Sequence, residues 1–367
     1  MTSYQIIGLI YAGVGIATLV ALLFEWFKQK SFDLKFLPIS RPLILVCRIL
    51  IGLLFLYSGY VKANDYIGFG YKLEEYFLVF GAAWPFLQGF FNFFVPFAAP
   101  MAWFISVFEV ALAFAIMLGW RMNLTAWLAL GMMLFFTFLT GWSHVTGSVT
   151  DCGCFGDALK IKPWESFVKD IILTAMLIPI FLTRKFTFPF PNAKLVNWIV
   201  GGIFVITGIY SFYCHEHLPL VDYRAYKVGV DLQTCTTVPG PEGYPKCKDW
   251  DPIFYAGAEF DMFSGRTMMI VVENFAKAEP EALAEMMALV KSLEGSNIQV
   301  AINTSSLSRD IKAFQADYKT GDLSIVAQDA TVLKTIVRSH PGYVLLQDGV
   351  VQHKWHHNDI PTKADLQ

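Results

Sequence analysis

Residues 108–142 read FEVALAFAIMLGWRMNLTAWLALGMMLFFTFLTGW. Two apolar runs, the first of which extends back to residue 98, are joined by a short turn that contains Trp120 and Arg121. A helix needs about 20 apolar residues to cross the ~30 Å hydrocarbon core of a bilayer. The stretch therefore predicts a pair of membrane-spanning helices and places the chain among membrane proteins.

The same pattern extends over the first part of the chain. Composition agrees with a membrane protein, because 55% of the residues are hydrophobic and 16% are charged, against about 25% charged residues in a soluble domain. The first apolar run lacks a basic start and a cleavage site, which indicates an uncleaved span rather than a signal peptide. The runs predict about six spans, at 4–25, 43–61, 98–118, 123–141, 167–183 and 195–213.

A further apolar segment, 77–97, is interrupted by Gly81, Pro85, Gly89 and Pro96. We expect this segment to be interfacial or re-entrant, since backbone breaks are poorly tolerated in lipid. The alternative is a seventh, kinked span.

Basic residues mark three short loops between the predicted spans. Short loops rich in Lys and Arg tend to be cytoplasmic. Both termini are then predicted to be periplasmic, in a multi-pass protein of a bacterial inner membrane. The basic residues are Lys28, Lys30, Lys35, Arg41, Arg121, Arg184, Lys185 and Lys194.

The chain changes character after the last predicted span. Residues 219–264 are rich in turn-forming residues, and an alternation of strands and helices begins at 265. The order is β-α-β-α-(β)-α-β-β, with a closing hairpin turned at Asp348-Gly349. This order predicts an α/β domain whose sheet mixes parallel and antiparallel strands.

This element order, with His340-Pro341 just before the hairpin, resembles the thioredoxin fold in its TlpA-like branch. The resemblance implies a cis proline beside an active-site dithiol. The dithiol of that family follows the first long strand, where this chain reads ENFAKAEP (273–280) without cysteine. The resemblance thus implies a domain that has lost its redox centre and could bind a partner chain in a groove beside His340 and Pro341.

Two cysteines, Cys152 and Cys154, flank Gly153 in the polar stretch TDCGCFGD (150–157). At this spacing their Cα atoms are about 6–7 Å apart, the upper limit for a disulfide. Gly153 can adopt the backbone conformation that brings them together. Such a bond would be strained and easily exchanged, as in a two-electron carrier. A structural or buried pair of thiols, and a soft-metal site with His144 as third ligand, are the alternatives.

The remaining thiols allow more than one interpretation. Cys235 and Cys247 bracket an 11-residue segment, and they predict either a loop disulfide or a shuttle dithiol. Cys214 could resolve a mixed disulfide or remain an unpaired interfacial thiol, and Cys47 reads as a small buried hydrophobe. The clusters CHEH (214–217) and HKWHH (353–357) are more typical of solvated histidines than of a metal site.

Glu109 lies inside a predicted span, where a carboxylate is costly and usually has a partner or a function. It is a candidate for proton transfer to a quinone, together with Trp142 and His144 near the outer interface. The alternative is a structural ion pair of Glu109 with Lys62 or Arg48.

Three stretches resemble the DoxX-like/MauE-like membrane proteins and together cover most of 42–183. The family resemblance implies a four-helix bundle related to the quinone-linked oxidoreductases of the DsbB and vitamin K epoxide reductase type. MauE-like members are linked to disulfide handling in periplasmic protein maturation, and DoxX members to quinone reduction. Only Cys152 and Cys154 are carried over as redox candidates, and the DsbB type has Cys-x-x-Cys instead. The stretches are RILIGLLFLYSGYVKANDYIGFGYKLEEYF (48–77), residues 108–142, and VTDCGCFGDALKIKPWESFVKDIIL (149–173).

The fold class expected from these observations is a membrane α-helical bundle followed by an α/β thioredoxin-like domain. The expected parts are an N-terminal span with its loop (1–41), a DoxX/MauE-like bundle (42–183), the last span (184–218), a linker with two cysteines (219–264) and the thioredoxin-like domain (265–367).

The expected function is a thiol–disulfide oxidoreductase that couples a periplasmic thiol protein, or a thioredoxin-like partner, to a membrane quinone through Cys152-Gly153-Cys154. The alternative is a non-catalytic subunit or anchor that presents a redox-inactive thioredoxin-like domain to a periplasmic partner complex. No metal is expected. A net charge of −2 offers no basic surface for nucleic acid.

Overall fold

The computed structural model describes residues 3–149, 153–159, 161–237, 263–321 and 323–366, and for 3–5 and 235–237 it describes the backbone alone. The chain forms two compact units, Met1–Phe212 and Tyr213–Gln367. Helices build the first unit, and a sheet with helices builds the second.

Helices α1 to α8 follow one another with short connections, as the long apolar runs predict. They are α1 Ser3–Gln29, α2 Ser40–Asn64, α3 Tyr66–Ala83, α4 Gln88–Phe94, α5 Ala98–Leu118, α6 Met122–Thr146, α7 Pro163–Leu182 and α8 Ala193–Glu216.

Among the described residues, five helical stretches are long and apolar enough to cross a membrane. The predicted span 167–183 forms α7, but α7 is not one of the five, because its first turns carry Glu165, Lys169 and Asp170. By helix length and composition, the structure therefore supports five of the expected six spans. The orientation of the chain in the membrane stays a prediction. The five are Ile6–Gln29, Ser40–Asn64, Pro85–Leu118, Met122–Thr146 and Ala193–Glu216.

The apolar segment 77–97 is broken where its prolines predict. Helix α3 ends at Ala83, and a 3-10 turn that begins at Pro85 leads into the short α4. A second 3-10 turn, with Pro96 at its centre, connects α4 to α5. The helical stretch from Pro85 is thus continuous with α5, and the interfacial placement of 77–97 stays a prediction.

Close packing of α2 on α5 is the contact that organises the bundle. A Cβ atom added at Gly59 of α2 would lie 2.8 Å from Cγ2 of Val110 in α5. Small residues allow such backbone approach between membrane helices, where packing and polar contacts replace the hydrophobic effect. The approach places Lys62 of α2 opposite Glu109 of α5.

The second unit contains a five-stranded sheet of order β3-β2-β1-β4-β5. Strands β1, β2 and β3 are parallel to one another, whereas β4 is antiparallel to β1 and to β5. The predicted element order and the mixed sheet are confirmed. The elements are α9 Leu232–Thr237, β1 Arg266–Val272, α10 Pro280–Leu293, β2 Ile298–Thr304, α11 Ser308–Tyr318, β3 Ser324–Ala327, α12 Ala330–Ile336, β4 Gly342–Gln347 and β5 Val350–His356.

Both faces of β1 are covered, which explains its uninterrupted apolar sequence. Ile270 packs in one cluster with Met286 of α10, and Val271 packs in the other with Leu333 of α12. The predicted hairpin connects β4 and β5 at Asp348-Gly349, where both residues have positive φ, as tight hairpin turns require.

Candidate functional site

A buried ion pair joins α2 and α5 inside the bundle. Lys62 Nζ lies 2.6 Å from Glu109 Oε2, and the two side chains are 1% and 3% exposed. Lys62 Nζ also donates a hydrogen bond of 2.9 Å to Ser58 Oγ, one turn earlier in α2. The rings of Phe69 and Phe136 lie 5.2 and 4.7 Å from the ammonium nitrogen and add cation–π contacts. Of the alternatives for Glu109, the structural pair with Lys62 is thus present.

Arg48, the second partner considered for Glu109, has a different role. Its Nε donates to the carbonyl oxygen of Ile116 and its Nη2 to that of Met117, each at 2.9 Å. These carbonyls belong to the last turn of α5, where helix carbonyls lack an i+4 amide partner, and the Ile116 carbonyl otherwise accepts only a long bond of 3.4 Å from Gly119 N among the described residues. Arg48 therefore stabilises the end of α5 and does not contact Glu109.

A second ion pair lies on α7 and is hydrogen-bonded to α6. Lys169 Nζ is 2.6 Å from Asp170 Oδ1, and Thr140 Oγ1 donates a hydrogen bond of 2.9 Å to Asp170 Oδ2. Asp170 is buried, whereas Lys169 retains partial exposure. The carboxylate thus has a partner on each oxygen, as a buried charge requires.

The cysteine loop is bonded to this polar network. Ser58 Oγ donates a hydrogen bond of 2.8 Å to the backbone oxygen of Cys154. Cys154 itself is buried, with 5% of its surface exposed. The ring of Phe155 packs 5.8 Å from that of Tyr57 and 5.3 Å from the Lys169 ammonium. A continuous chain of hydrogen bonds therefore runs from Glu109 through Lys62 and Ser58 to the loop.

These groups surround a small cavity between α2, α5, α6 and α7. Its volume is about 10 Å³, which is room for about one water molecule. Apolar side chains of α2, α6 and α7 complete the wall. The polar lining consists of Ser58, Lys62, Glu109, Cys154, Lys169 and Asp170.

A quinone ring does not fit this cavity. Its volume is that of a single water, and the oxygen of Glu109 that faces Lys62 is already held in an ion pair. Glu109 therefore pairs with Lys62 beside a cavity of this size, and its role toward a quinone stays a prediction.

The arrangement is electrostatically balanced. Two cations, Lys62 and Lys169, face two carboxylates, Glu109 and Asp170, around the cavity. A buried pair offsets its desolvation only when both partners remain, so removing one charge costs about 3–5 kcal/mol. The cluster can hold a proton-transferring water and can stabilise charge that develops on the cysteine loop.

The other predicted thiols lie in several places. Cys152 and Cys247 lie outside the described residues, and so does the side chain of Cys235, whose backbone belongs to α9. Cys214 is buried in the last turns of α8. Cys47 is buried in α2, as predicted for a small hydrophobe, and contacts Thr18 Oγ1 at 3.3 Å. The predicted pairings of Cys214, Cys235 and Cys247 stay predictions.

Trp142 and His144 do not line the small cavity that Glu109 lines. The Trp142 ring lies 4.7 Å from that of Trp84, in an aromatic cluster on α3 and α6. His144 is exposed, with its ring 5.1 Å from that of Trp164. Within the described ranges, no group of three or more His, Cys, Asp or Glu residues could hold a metal ion.

His340 and Pro341, beside which a partner groove is predicted, belong to the second unit. The peptide between His340 and Pro341 is cis. His340 Nε2 lies 3.4 Å from Glu273 Oε2, and burial lowers the pKa of His340 to about 4 despite that carboxylate. Where a dithiol would be expected, Phe275 stacks on Phe314 with ring centroids 4.1 Å apart.

Sequence reasoning did not assign Ser58, Thr140, Lys169 or Asp170 to the site. One signal could have indicated the last two, since Lys169 and Asp170 interrupt an otherwise apolar run in the same way as Glu109. Hydroxyl groups such as Ser58 are too common in membrane helices to stand out in a single sequence.

Comparisons with known proteins agree with the resemblance over the bundle. No curated protein and no solved structure matches the chain. The matched family is described as methylamine utilisation protein MauE, and the match includes every residue of the polar network. Residues 40–183, which form α2 to α7 of a multi-pass membrane unit, match the MauE family model.

Proposed function

We propose that the protein is a membrane thiol–disulfide oxidoreductase whose reactive pair is Cys152 and Cys154. One observation supports this above all: Cys154 lines a cavity together with Ser58, the buried pair Lys62–Glu109 and the partly buried pair Lys169–Asp170. Buried charges are costly in a membrane bundle and are usually retained for a function. The bond from Ser58 to the Cys154 carbonyl ties the loop to those charges.

The proposed reaction is a disulfide exchange. A thiolate of the client attacks one sulfur of the Cys152–Cys154 disulfide, forms a mixed disulfide and releases the other sulfur as a thiolate. The second client thiol then loses its proton and displaces the remaining cysteine. The client gains a disulfide, and Cys152 and Cys154 each end as a thiol, so two electrons and two protons have been transferred.

The buried network has two roles in this proposal. The bond from Ser58 holds the backbone of Cys154, which limits the positions that its sulfur can reach. Lys62 and Lys169 line the same cavity as Cys154 and can stabilise a departing thiolate. A water in the cavity could pass the proton that the thiolate requires.

The electron acceptor implied by the family resemblance is a membrane quinone. Because the cavity beside Cys154 is too small for its ring, the proposal assigns no residue of this site to hold one. The client is a periplasmic thiol protein or a thioredoxin-like partner, and the chain lies in a bacterial inner membrane with both termini periplasmic.

We further propose that the second unit is a thioredoxin-like domain that binds a partner. The strand order β3-β2-β1-β4-β5 and the cis peptide before Pro341 support this relation. Phe275 and Phe314 fill the place of the family's dithiol, which favours binding over redox chemistry in this unit.

The test uses purified full-length protein, a reduced dithiol substrate and a soluble quinone as acceptor. We expect Cys152→Ser and Cys154→Ser each to abolish dithiol oxidation. Cys47→Ser is the matched control, since Cys47 is a buried thiol on α2 that does not line the cavity. Unchanged oxidation in the Cys152 and Cys154 variants would refute the proposal. Recovery of a stoichiometric partner without redox turnover would favour a non-catalytic anchor.

A further inference from the structure

An open cleft lies in the second unit, where the chain leaves α8. Its volume is about 540 Å³, within the usual range for small-ligand sites. Tyr213 and His217, at the end of α8, form one part of the lining. The segment that follows α8 and strand β5 form the rest.

The segment after α8 is held in place along β5. Gly229 N donates to Val351 O at 2.8 Å, and Val351 N donates to Val230 O at 2.9 Å. These bonds cover the outer edge of β5, which would otherwise present unpaired backbone groups. The walls of the cleft are therefore fixed by backbone hydrogen bonds.

Two buried cations share a carboxylate in the lining of the cleft. Asp222 Oδ1 accepts from Arg224 Nε at 2.9 Å, and Asp222 Oδ2 accepts from Lys354 Nζ at 2.6 Å. Both cationic side chains are 3% exposed. Asp359, which also lines the cleft, pairs with His217 at 2.9 Å. With Lys354 protonated, the cluster of Arg224, Lys354 and Asp222 carries one more positive than negative charge.

Arg224 also has unused hydrogen-bonding capacity. Within the described part of the chain, its Nη1 is buried and has no hydrogen-bond partner. A guanidinium edge with a free nitrogen is suited to an oxyanion, because its N–H groups match the spacing of phosphate oxygens. Burial and the nearby Arg224 lower the pKa of Lys354 to about 7 despite Asp222, so a bound anion would favour the protonated form of Lys354.

We propose that this cleft binds the phosphate group of an anionic phospholipid headgroup. Two features favour a lipid over a soluble anion. The cleft begins within one turn of the end of α8, which is long and apolar enough to cross a membrane. Leu220 and Val228 at its rim are exposed apolar side chains. The bound phosphate would neutralise the excess charge of the buried cluster.

Binding of phosphatidylglycerol to delipidated full-length protein in detergent tests the proposal, with bound lipid counted by native mass spectrometry. We expect Arg224→Gln and Lys354→Gln each to weaken binding about tenfold, since each removes a charge-assisted contact. Arg224→Lys keeps the positive charge but loses the planar set of guanidinium N–H donors, so it should give an intermediate loss of lipid binding. Arg309→Gln is the control, because Arg309 is an exposed cation on α11.

A parallel titration with inorganic phosphate distinguishes the two sources of the anion. Weak competition by inorganic phosphate against the lipid would support the headgroup. Binding of inorganic phosphate alone, lost in Arg224→Gln, would overturn the lipid assignment. Equal lipid binding by wild type, Arg224→Gln and Lys354→Gln would overturn the site itself. The wild-type titrations remain decisive even where a variant fails to fold. This site does not depend on the proposed redox function.

Discussion

Lys62 Nζ and Glu109 Oε2 lie 2.6 Å apart inside the helical bundle, on residues separated by 47 positions in the sequence. The pair is nearly inaccessible to solvent, so each charge depends on the other for its stability. It is also the inner end of the hydrogen-bond chain that reaches Cys154 through Ser58. The same contact thus couples the packing of α2 on α5 to the position of the cysteine loop.

Breaking this pair should destabilise the bundle strongly. We expect Lys62→Met or Glu109→Leu alone to lower the free energy of unfolding by about 3–5 kcal/mol, because either leaves one buried charge unpaired. The double variant should be less destabilised than either single variant. Unfolding of the purified protein in detergent measures all three, and additive losses would show that the two charges are not coupled.

Removing the Ser58 hydroxyl should affect the cysteine loop more than the bundle. Ser58→Ala removes the bond to the Cys154 carbonyl and one acceptor of Lys62, and a hydrogen bond typically contributes about 1 kcal/mol. We expect a modest loss of stability and a several-fold slower dithiol oxidation. Ser106→Ala is the matched control, since Ser106 is buried in α5 and, among the residues that the structure describes, its hydroxyl bonds only to Ala102 O of the same helix. Equal rates in the two variants would contradict a positioning role for Ser58.

The conformation of Gly153 offers a second test of the loop. Gly153 has φ +65°, and an added Cβ would lie 3.0 Å from Lys72 Cγ. Gly147 has φ +63° in the same connection but has open space around it. Alanine at either position should cost about 1 kcal/mol from the left-handed backbone. Only Gly153→Ala should also slow the reaction of the adjacent cysteines with a thiol reagent, and an equal effect of Gly147→Ala would contradict this.

Local sequence patterns were sufficient for most of the architecture. Run length predicted α2, α5 and α6, and alternating strands and helices predicted the order of β1 to β5, because these signals depend on neighbouring residues only. The break at Pro85 was likewise readable, since proline lacks a backbone donor.

The site itself depends on how helices face one another. A single sequence left Glu109 with either Lys62 or Arg48 as partner, because the rotation of α2 against α5 is set by close packing at Gly59. The sequence placed Lys169 and Asp170 within a predicted span and gave them no role. In the structure they form an ion pair, and Thr140 donates a hydrogen bond to Asp170. Long-range packing of this kind has no short sequence signature.

Acid should destabilise the second unit through His340. Burial lowers the pKa of His340 to about 4 from 6.5, against the attraction of Glu273 and with the repulsion of Lys334, Arg338 and His357. The folded state therefore binds fewer protons than the unfolded state between these pH values. The contribution of His340 to stability is fully present above pH 6.5 and falls by about 3 kcal/mol as the pH drops toward 4.

Hydrogen exchange of β1 and β4 in the full-length protein measures this loss, because it reports on the second unit specifically. We expect His340→Gln to reduce the slope between pH 6.5 and 4 without abolishing it, since glutamine does not titrate but burial also lowers the pKa of His356, to about 3. His353→Gln, at an exposed position on β5, is the control and should keep the wild-type slope. If wild type and His340→Gln lose protection in parallel, the acid sensitivity arises from groups other than His340.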